Sequence, residues 1–392
     1  MEHLSGALRP YTWGSHTLIA ELRGEPSPSA QPQAELWFGA HPAAPATVGG
    51  IGLDEVIAAD PDAALGPRVH AEHGDQLPFL VKLLAAAAPL SIQAHPSLEQ
   101  AQEGFERENA QGIALGSANR NYKDPNHKPE LIVALTPFRA LAGFRPATDT
   151  AAFFAALSCP ELDRYASLLP ADGDGDLRAL FTTLISLPTQ PRVELIDAVA
   201  HCAEHLVSQG HHPAWMTEAA QVFLELNEAY PGDVGVLAAL LLNVLTLAPG
   251  EAAFLRAGQL HAYLSGLGVE VMANSDNVLR GGLTTKHVDV AELVRVLDFT
   301  TLDNPRAETV PSHGGVEFAL PVDSFAVRMH ELAEGETLRM REDGPAIVLC
   351  TAGTVVAGDF TLTQGNAAWV PASDGEVALT ATGPAQLFVA TA

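Results

Sequence analysis

Apolar positions change their spacing twice along the chain. Up to about residue 150, short apolar runs (ELWFGAHP, LPFLVKLL, PLSIQAHP, ELIVALTPFRALAGF) are broken by Pro and Gly, a strand-and-turn pattern. From about 151 to 247 the segments TDTAAFFAALSC, DLRALFTTLISL, VELIDAVAHCAEHLV and AWMTEAAQVFLELNEAY repeat their apolar residues at helical spacing. Strand-like pieces return at PGEAAFLRAGQLHAYLSG and GVEVMANSDN and continue through SFAVRMHEL, AIVLCTAGTVVAG, AAWVPA, EVALTAT and AQLFVATA. The pattern predicts a mainly β chain with a helical insertion. It divides into a discontinuous β domain (1–150 plus 248–320), a helical domain (151–247) and a C-terminal β domain (321–392).

Two of the strand segments align without a gap, PGEAAFLRAGQLHAYL with QGNAAWVPASDGEVAL. Gly250 then matches Gly365, Phe254 matches Trp369 and Ala257 matches Ala372, while His261 falls opposite Glu376. A duplicated β unit of this kind keeps a metal-binding histidine in its first copy only.

Composition narrows the function classes. At 392 residues and 47% hydrophobic the chain can bury a sizeable core over two or three domains. Its formal net charge of -26 argues against nucleic acid or anionic lipid as a partner, because both need a basic surface. Cys159, Cys202 and Cys350 form no CxxC pair, so neither a disulfide framework nor a thiolate zinc site is expected, and a reducing cytoplasm fits. The N-terminal residues carry no export pattern and VGVLAALLLNVLTLA is short for a membrane span. Only four lysines occur, Lys82, Lys123, Lys128 and Lys286, against seventeen arginines. A chain that takes its surface charge from arginine keeps lysine where a compact, titratable ammonium is needed.

Those lysines sit among candidate metal ligands. Gln93 and His95 are two apart in SIQAHP, so on a strand both side chains leave the same face. Glu130 closes NYKDPNHKPE and His261 opens HAYLSG. Two imidazoles, a carboxylate and an amide oxygen suit Zn2+, and tolerate Fe2+ or Mn2+. A Q-x-H pair alone is usually just hydrogen-bonded.

The longer strings are more specific. LPFLVKLLAAAAPLSIQAHPS, NYKDPNHKPELIVALTPFRALAGFR and HAYLSGLGVEVMANSDNVLRGGLTTKHVD, with YTWGS and AELWFGAHP before them, resemble the signature segments of type I mannose-6-phosphate isomerases from about Tyr11 to Leu297. The resemblance implies a cupin-type β-barrel catalytic domain, a helical domain and a second cupin-like β domain. It also implies one zinc ion per chain on Gln93, His95, Glu130 and His261, and interconversion of D-mannose 6-phosphate and D-fructose 6-phosphate. Such a product feeds either sugar breakdown or activated-mannose synthesis, GDP-mannose biosynthesis among them. A cytoplasmic monomer or weak homo-oligomer is expected.

Moving a proton between C2 and C1 through a cis-enediol needs an acid/base and a stabiliser of developing negative charge. Arg280 is the candidate stabiliser, carried over from the family. His127, Lys128 and Asp276 are the candidate proton carriers. Lys128 comes first among them, since a neighbouring dication disfavours its charged form. Ser91, Lys82 and Lys286 are the candidate phosphate contacts.

Other features read as architecture: Glu35, Trp37 and His41 as a structural string, Tyr263 and Glu270 as bracing, and His201, His205, His211 and His212 as surface histidines. The DGDGD run at 172–176 resembles a calcium loop but lacks its twelfth-position carboxylate. The competing readings are an isomerase of a related sugar or sugar phosphate, a metal-dependent oxygenase on His95, Glu130 and His261, and a silent sugar-binding barrel.

Overall fold

Three sheets and a block of helices make up the chain, whose computed structural model describes residues 1–169 and 176–392. All of the DGDGD run except Asp176 lies outside the described residues; Asp176 itself caps the helix Leu177–Ile185 by accepting from Ala179 N.

The largest sheet is organised around one strand, His261–Ala273. Its C-terminal half pairs with Phe79–Ala86 on one side and Glu130–Ala134 on the other; its N-terminal half pairs with Phe138–Phe144 and Ile92–Ala94. A single strand serves four neighbours because it bends at Gly266. There φ is 122°, and a Cβ would lie 2.7 Å from Pro137 O, a conformation open to glycine.

Alternation along the strands assigns the two faces of this sheet. Leu36, Phe38, Phe79, Val81, Leu83, Leu131, Val133, Val269 and Val271 point to a core shared with Phe325 and with Val327, Ile347, Trp369 and Phe388 of the second large sheet. Glu35, Trp37, Lys82 and Glu270 point the other way, in a cross-strand row that pairs Trp37 with Lys82 and Lys82 with Glu270. Putting these aromatics and a set of branched aliphatics between the sheets makes one continuous apolar layer.

Among the described residues six helices between Ala147 and Ala239 pack on the far end of the first sheet, with Phe153, Phe181, Leu195, Phe223 and Leu237 against Leu141, Phe144, Leu260 and Leu279. The helical pattern was expected to run to 247, but Leu242–Leu247 is a strand paired with Phe138–Phe144. Helices also occur in the region read as strand and turn: Leu53–Ala59, Pro61–His73 and Leu98–Ala110. The last opens with a capping box, Ser97 accepting from Gln100 N while the Gln100 side chain accepts from Ser97 N.

Strand pairing crosses the segment boundaries expected from the sequence. Glu2–Ser5 pairs with Ala367–Val370, and Thr309–Ser312 and Gly315–Phe318 join the same sheet through Ala326–Leu332. The second sheet therefore draws on residues before 10 and between 309 and 320 as well as on the last seventy. Glu376, aligned with His261 in the repeat, is exposed and pairs with Arg339 at 3.0 Å. Among the described residues no helix is long and apolar enough to cross a membrane.

Candidate metal centre and cleft

Register brings the candidate ligands together. Gln93 lies directly opposite His261 on one neighbouring strand and opposite Arg280 on the other, so three functional side chains share one face across three strands. His95 follows two residues after Gln93. Glu130 begins its strand opposite Met272 and Leu255.

His95, Glu130 and His261 present ligand atoms within 4.8 Å of one another, all three residues buried. His95 Nε2 is 3.2 Å from Glu130 Oε1, and His261 Nε2 is 3.3 Å from Glu130 Oε2. Each imidazole has its other nitrogen on a backbone carbonyl, His95 Nδ1 on Asn277 O at 2.8 Å and His261 Nδ1 on Gln259 O at 3.0 Å. A carbonyl only accepts, so each Nδ1 carries the proton and each Nε2 aims a lone pair at the carboxylate. His95 Nε2 is accordingly buried without a hydrogen-bond partner despite the short distance.

The protonation states agree. Burial pushes His95 down to about 4 against the attraction of Glu130, so the ring is neutral near pH 7. Burial pushes the Glu130 carboxyl up, but the Lys128 ammonium at 2.9 Å together with His95 and His261 outweighs it and holds the group well below the ordinary carboxylate range. Two imidazole Nε2 atoms facing an ionised carboxylate at 3.2 and 3.3 Å make a donor set that a divalent cation completes. The residues fit zinc.

Above this trio lies a small chamber of about 60 Å³, walled by Gln93, Lys128, Glu130, His261, Tyr263 and Glu270. It continues into an open cleft of about 400 Å³. Ser91, Lys82, Lys286, Arg280, Asp276 and Lys128 all line that cleft. His127 does not. It faces a different cavity beside Pro129, where its Nε2 is 3.1 Å from Ser324 Oγ, and the structure removes it from the candidate proton carriers. Asp276 is half-exposed and paired with His41 at 3.5 Å, which holds its carboxyl down.

Positive charge concentrates here in an otherwise negative protein. Burial lowers Arg280, with no carboxylate partner among the described residues, and burial together with Arg280 and Lys123 lowers Lys286. Lys82 is buried with Nζ 2.8 Å from Glu270 Oε2 and 5.3 Å from the centre of the Trp37 ring. Burial alone would lower it, but Glu270, Glu35 and Glu130 more than offset that and the net direction is up. Tyr263 OH donates to the other oxygen of Glu270 at 2.8 Å. Changing Lys82→Met strands Glu270 in this buried row, and the expected result is a loss of about 3–5 kcal/mol of stability in a denaturant titration. An unchanged midpoint would show that the pair is not a structural tie.

Several wall residues escaped the sequence reading. Trp37 donates from Nε1 to Glu35 Oε2 at 2.6 Å, and both line the cleft, Trp37 packed on Leu80 and Met272 on the face away from the layer between the sheets. Tyr11 and Trp13, stacked with ring centres 5.7 Å apart, line it too. The helical block contributes Tyr230, whose hydroxyl donates to Pro89 O at 2.7 Å. Close by, Asp233 accepts from Gly235 N at 2.7 Å and from Leu283 N at 2.6 Å. That grip holds the arc from Arg280 to Lys286 through a non-glycine residue at positive φ, Leu283 at 54°. A Cβ on Gly282 would lie 2.3 Å from Gly235 N, so the arc sits backbone to backbone on the helix corner.

Comparison with known proteins agrees with this site. Residues 1–147 match the family model for the catalytic domain of type I phosphomannose isomerase. The mannose-6-phosphate isomerase of Escherichia coli (strain K12) is 42% identical over 373 residues, 93% of this chain and 91% of that one. The Homo sapiens mannose-6-phosphate isomerase is 34% identical over 98% of this chain and 96% of its own. The crystal structure of Salmonella typhimurium mannose 6-phosphate isomerase bound to fructose 6-phosphate and zinc superposes with a TM-score of 0.88 at 36% identity, covering 100% of this chain and 99% of that chain. Identity and coverage at this level, on a chain whose buried histidines and carboxylate form a zinc-type donor set, place it in the type I mannose-6-phosphate isomerase family.

Proposed function

We propose that this chain interconverts D-mannose 6-phosphate and D-fructose 6-phosphate as a zinc enzyme. The observation that carries the reading is the buried, unpartnered His95 Nε2 beside Glu130 and His261, at the floor of a cation-lined cleft. Gln93, His95, Glu130 and His261 would hold one zinc ion. When bound, that ion supplies a fixed positive charge that polarises the substrate oxygens at the reacting carbons.

The chain's own groups do the rest. Lys82, Ser91 and Lys286, which line the cleft, receive the phosphate. Lys128, in the wall common to cleft and chamber, moves the proton from C2 to C1 through the cis-enediol. Arg280, with no carboxylate opposing it among the described residues, sits against the oxygen that gains negative charge. Trp37, Tyr11 and Trp13 form an apolar wall that keeps water from the reacting carbons.

For architecture, we read the two large sheets as the cupin-type units and the Ala147–Ala239 helices as the domain between them, the second unit including Glu2–Ser5. Three unpaired cysteines suit a reducing cytoplasm.

The test is conversion of mannose 6-phosphate by purified protein before and after chelation, with zinc returned and bound metal counted. Loss on chelation and recovery with about one zinc per chain is the expected result. Bound zinc without conversion would retain the site and replace the substrate with another sugar phosphate.

A further inference from the structure

Asn277 is fully buried and lies outside the cleft lining, yet two of its groups reach opposite halves of the metal site. Its backbone carbonyl receives the His95 Nδ1 proton at 2.8 Å. Its carboxamide is spent on the turn that leads into Lys128 and Glu130. Oδ1 accepts from Lys123 N at 2.7 Å and from Asp124 N at 3.3 Å, while Nδ2 donates to Asp124 O at 2.8 Å and to Asn126 O at 2.9 Å.

Neighbouring residues reinforce the same turn. Ser275 Oγ donates to Asp124 Oδ1 at 2.8 Å and accepts from Asn277 N at 3.1 Å, and Asp276 N donates to Asp124 Oδ2 at 2.8 Å. Three residues beyond Asn277, Arg280 takes its place opposite Gln93.

We propose that Asn277 is a positioning residue that sets the His95 imidazole and the Lys128–Glu130 segment in one fixed relation. The turn offers two N–H groups and two carbonyls, and a carboxamide has two acceptor and two donor sites on a stem of this length. Aspartate has the shape without the donors, and it would place a second carboxylate against Asp124, already 3.3 Å from Nδ2. A polar network satisfied on every side fixes one geometry.

The inference rests on the metal reading above, so wild-type protein is titrated alongside. Zinc affinity is measured by chelator competition, Co2+ absorption reports ligand geometry, and kcat and KM are measured at saturating zinc. For Asn277→Asp, which keeps the carbonyl but loses the amide that fixes it to the turn, the zinc Kd rises roughly 10–100-fold, the range for disturbing the groups that orient metal ligands. The Co2+ bands shift and kcat falls. KM for the sugar phosphate stays within about twofold, because Ser91, Lys82 and Lys286 are untouched. Ser275→Ala, a milder change to the same turn, moves zinc Kd and kcat in the same directions by less, and it decides the matter if Asn277→Asp does not fold. A folded variant with wild-type zinc Kd, Co2+ bands and kcat overturns the proposal. A wild-type chain that binds no zinc overturns the metal reading instead.

Discussion

His261→Ala is expected to release the metal and abolish isomerisation. The imidazole supplies one of two neutral nitrogen donors, held in place by Gln259 O, and alanine leaves the Glu130 carboxylate facing an empty position on its Oε2 side. Metal polarisation of a sugar oxygen contributes several kcal/mol. At about 1.4 kcal/mol per tenfold, turnover should drop on the order of 10³-fold or more. The fold should survive, since Lys128 still neutralises Glu130 through its 2.9 Å contact. Metal content by atomic spectroscopy, circular dichroism and turnover, taken on one preparation, separate these outcomes. Full activity in a metal-depleted variant would falsify the proposed site.

The second large effect is expected from Arg280→Lys, which keeps the charge and removes the planar fork. Arg280 stands opposite Gln93 in the strand register and reaches the cleft half-buried, with no carboxylate partner among the described residues. A guanidinium held this way can direct two N–H donors at one oxygen, and an ammonium cannot reproduce that geometry. Loss of one preorganised donor costs about 10²–10³ in kcat. Zinc content should match wild type. Unchanged turnover would remove Arg280 from the mechanism.

Strand alternation made much of this site readable and was applied unevenly. It placed Gln93 with His95. The same rule separates His127 and Pro129, which face one cavity, from Lys128 and Glu130, which face another. Placing Lys128 in the cleft therefore already turns His127 away. It also divides AELWF into Glu35 and Trp37 for the cleft and Leu36 and Phe38 for the core, so the string is both functional and architectural. The helix Leu98–Ala110 was missed although its S-x-x-Q capping box stands in the sequence.

Other features had no local signal. Tyr230 reaches the cleft, and Asp233 reaches the arc that ends at Lys286, only because the helical block docks against Leu279, and Asn277 is bonded to a turn some 150 residues earlier. Leu242–Leu247 (LNVLTL) reads as helix because it continues the apolar run that ends the helical block; only its pairing with Phe138–Phe144 makes it a strand.

The pairing of Glu2–Ser5 with Ala367–Val370 also bears on how the protein is made. The strand Glu2–Ser5 is made well before its partner, which follows more than 360 residues later; at about 5–20 residues per second that is roughly 20–70 s. Until then Leu36, Phe38, Phe79 and Val81 lack the Trp369 and Phe388 layer that covers them. The sheet that carries the metal ligands is thus born with an unfinished back, and a nascent chain stalled before Trp369 is a substrate for chaperones rather than a small enzyme.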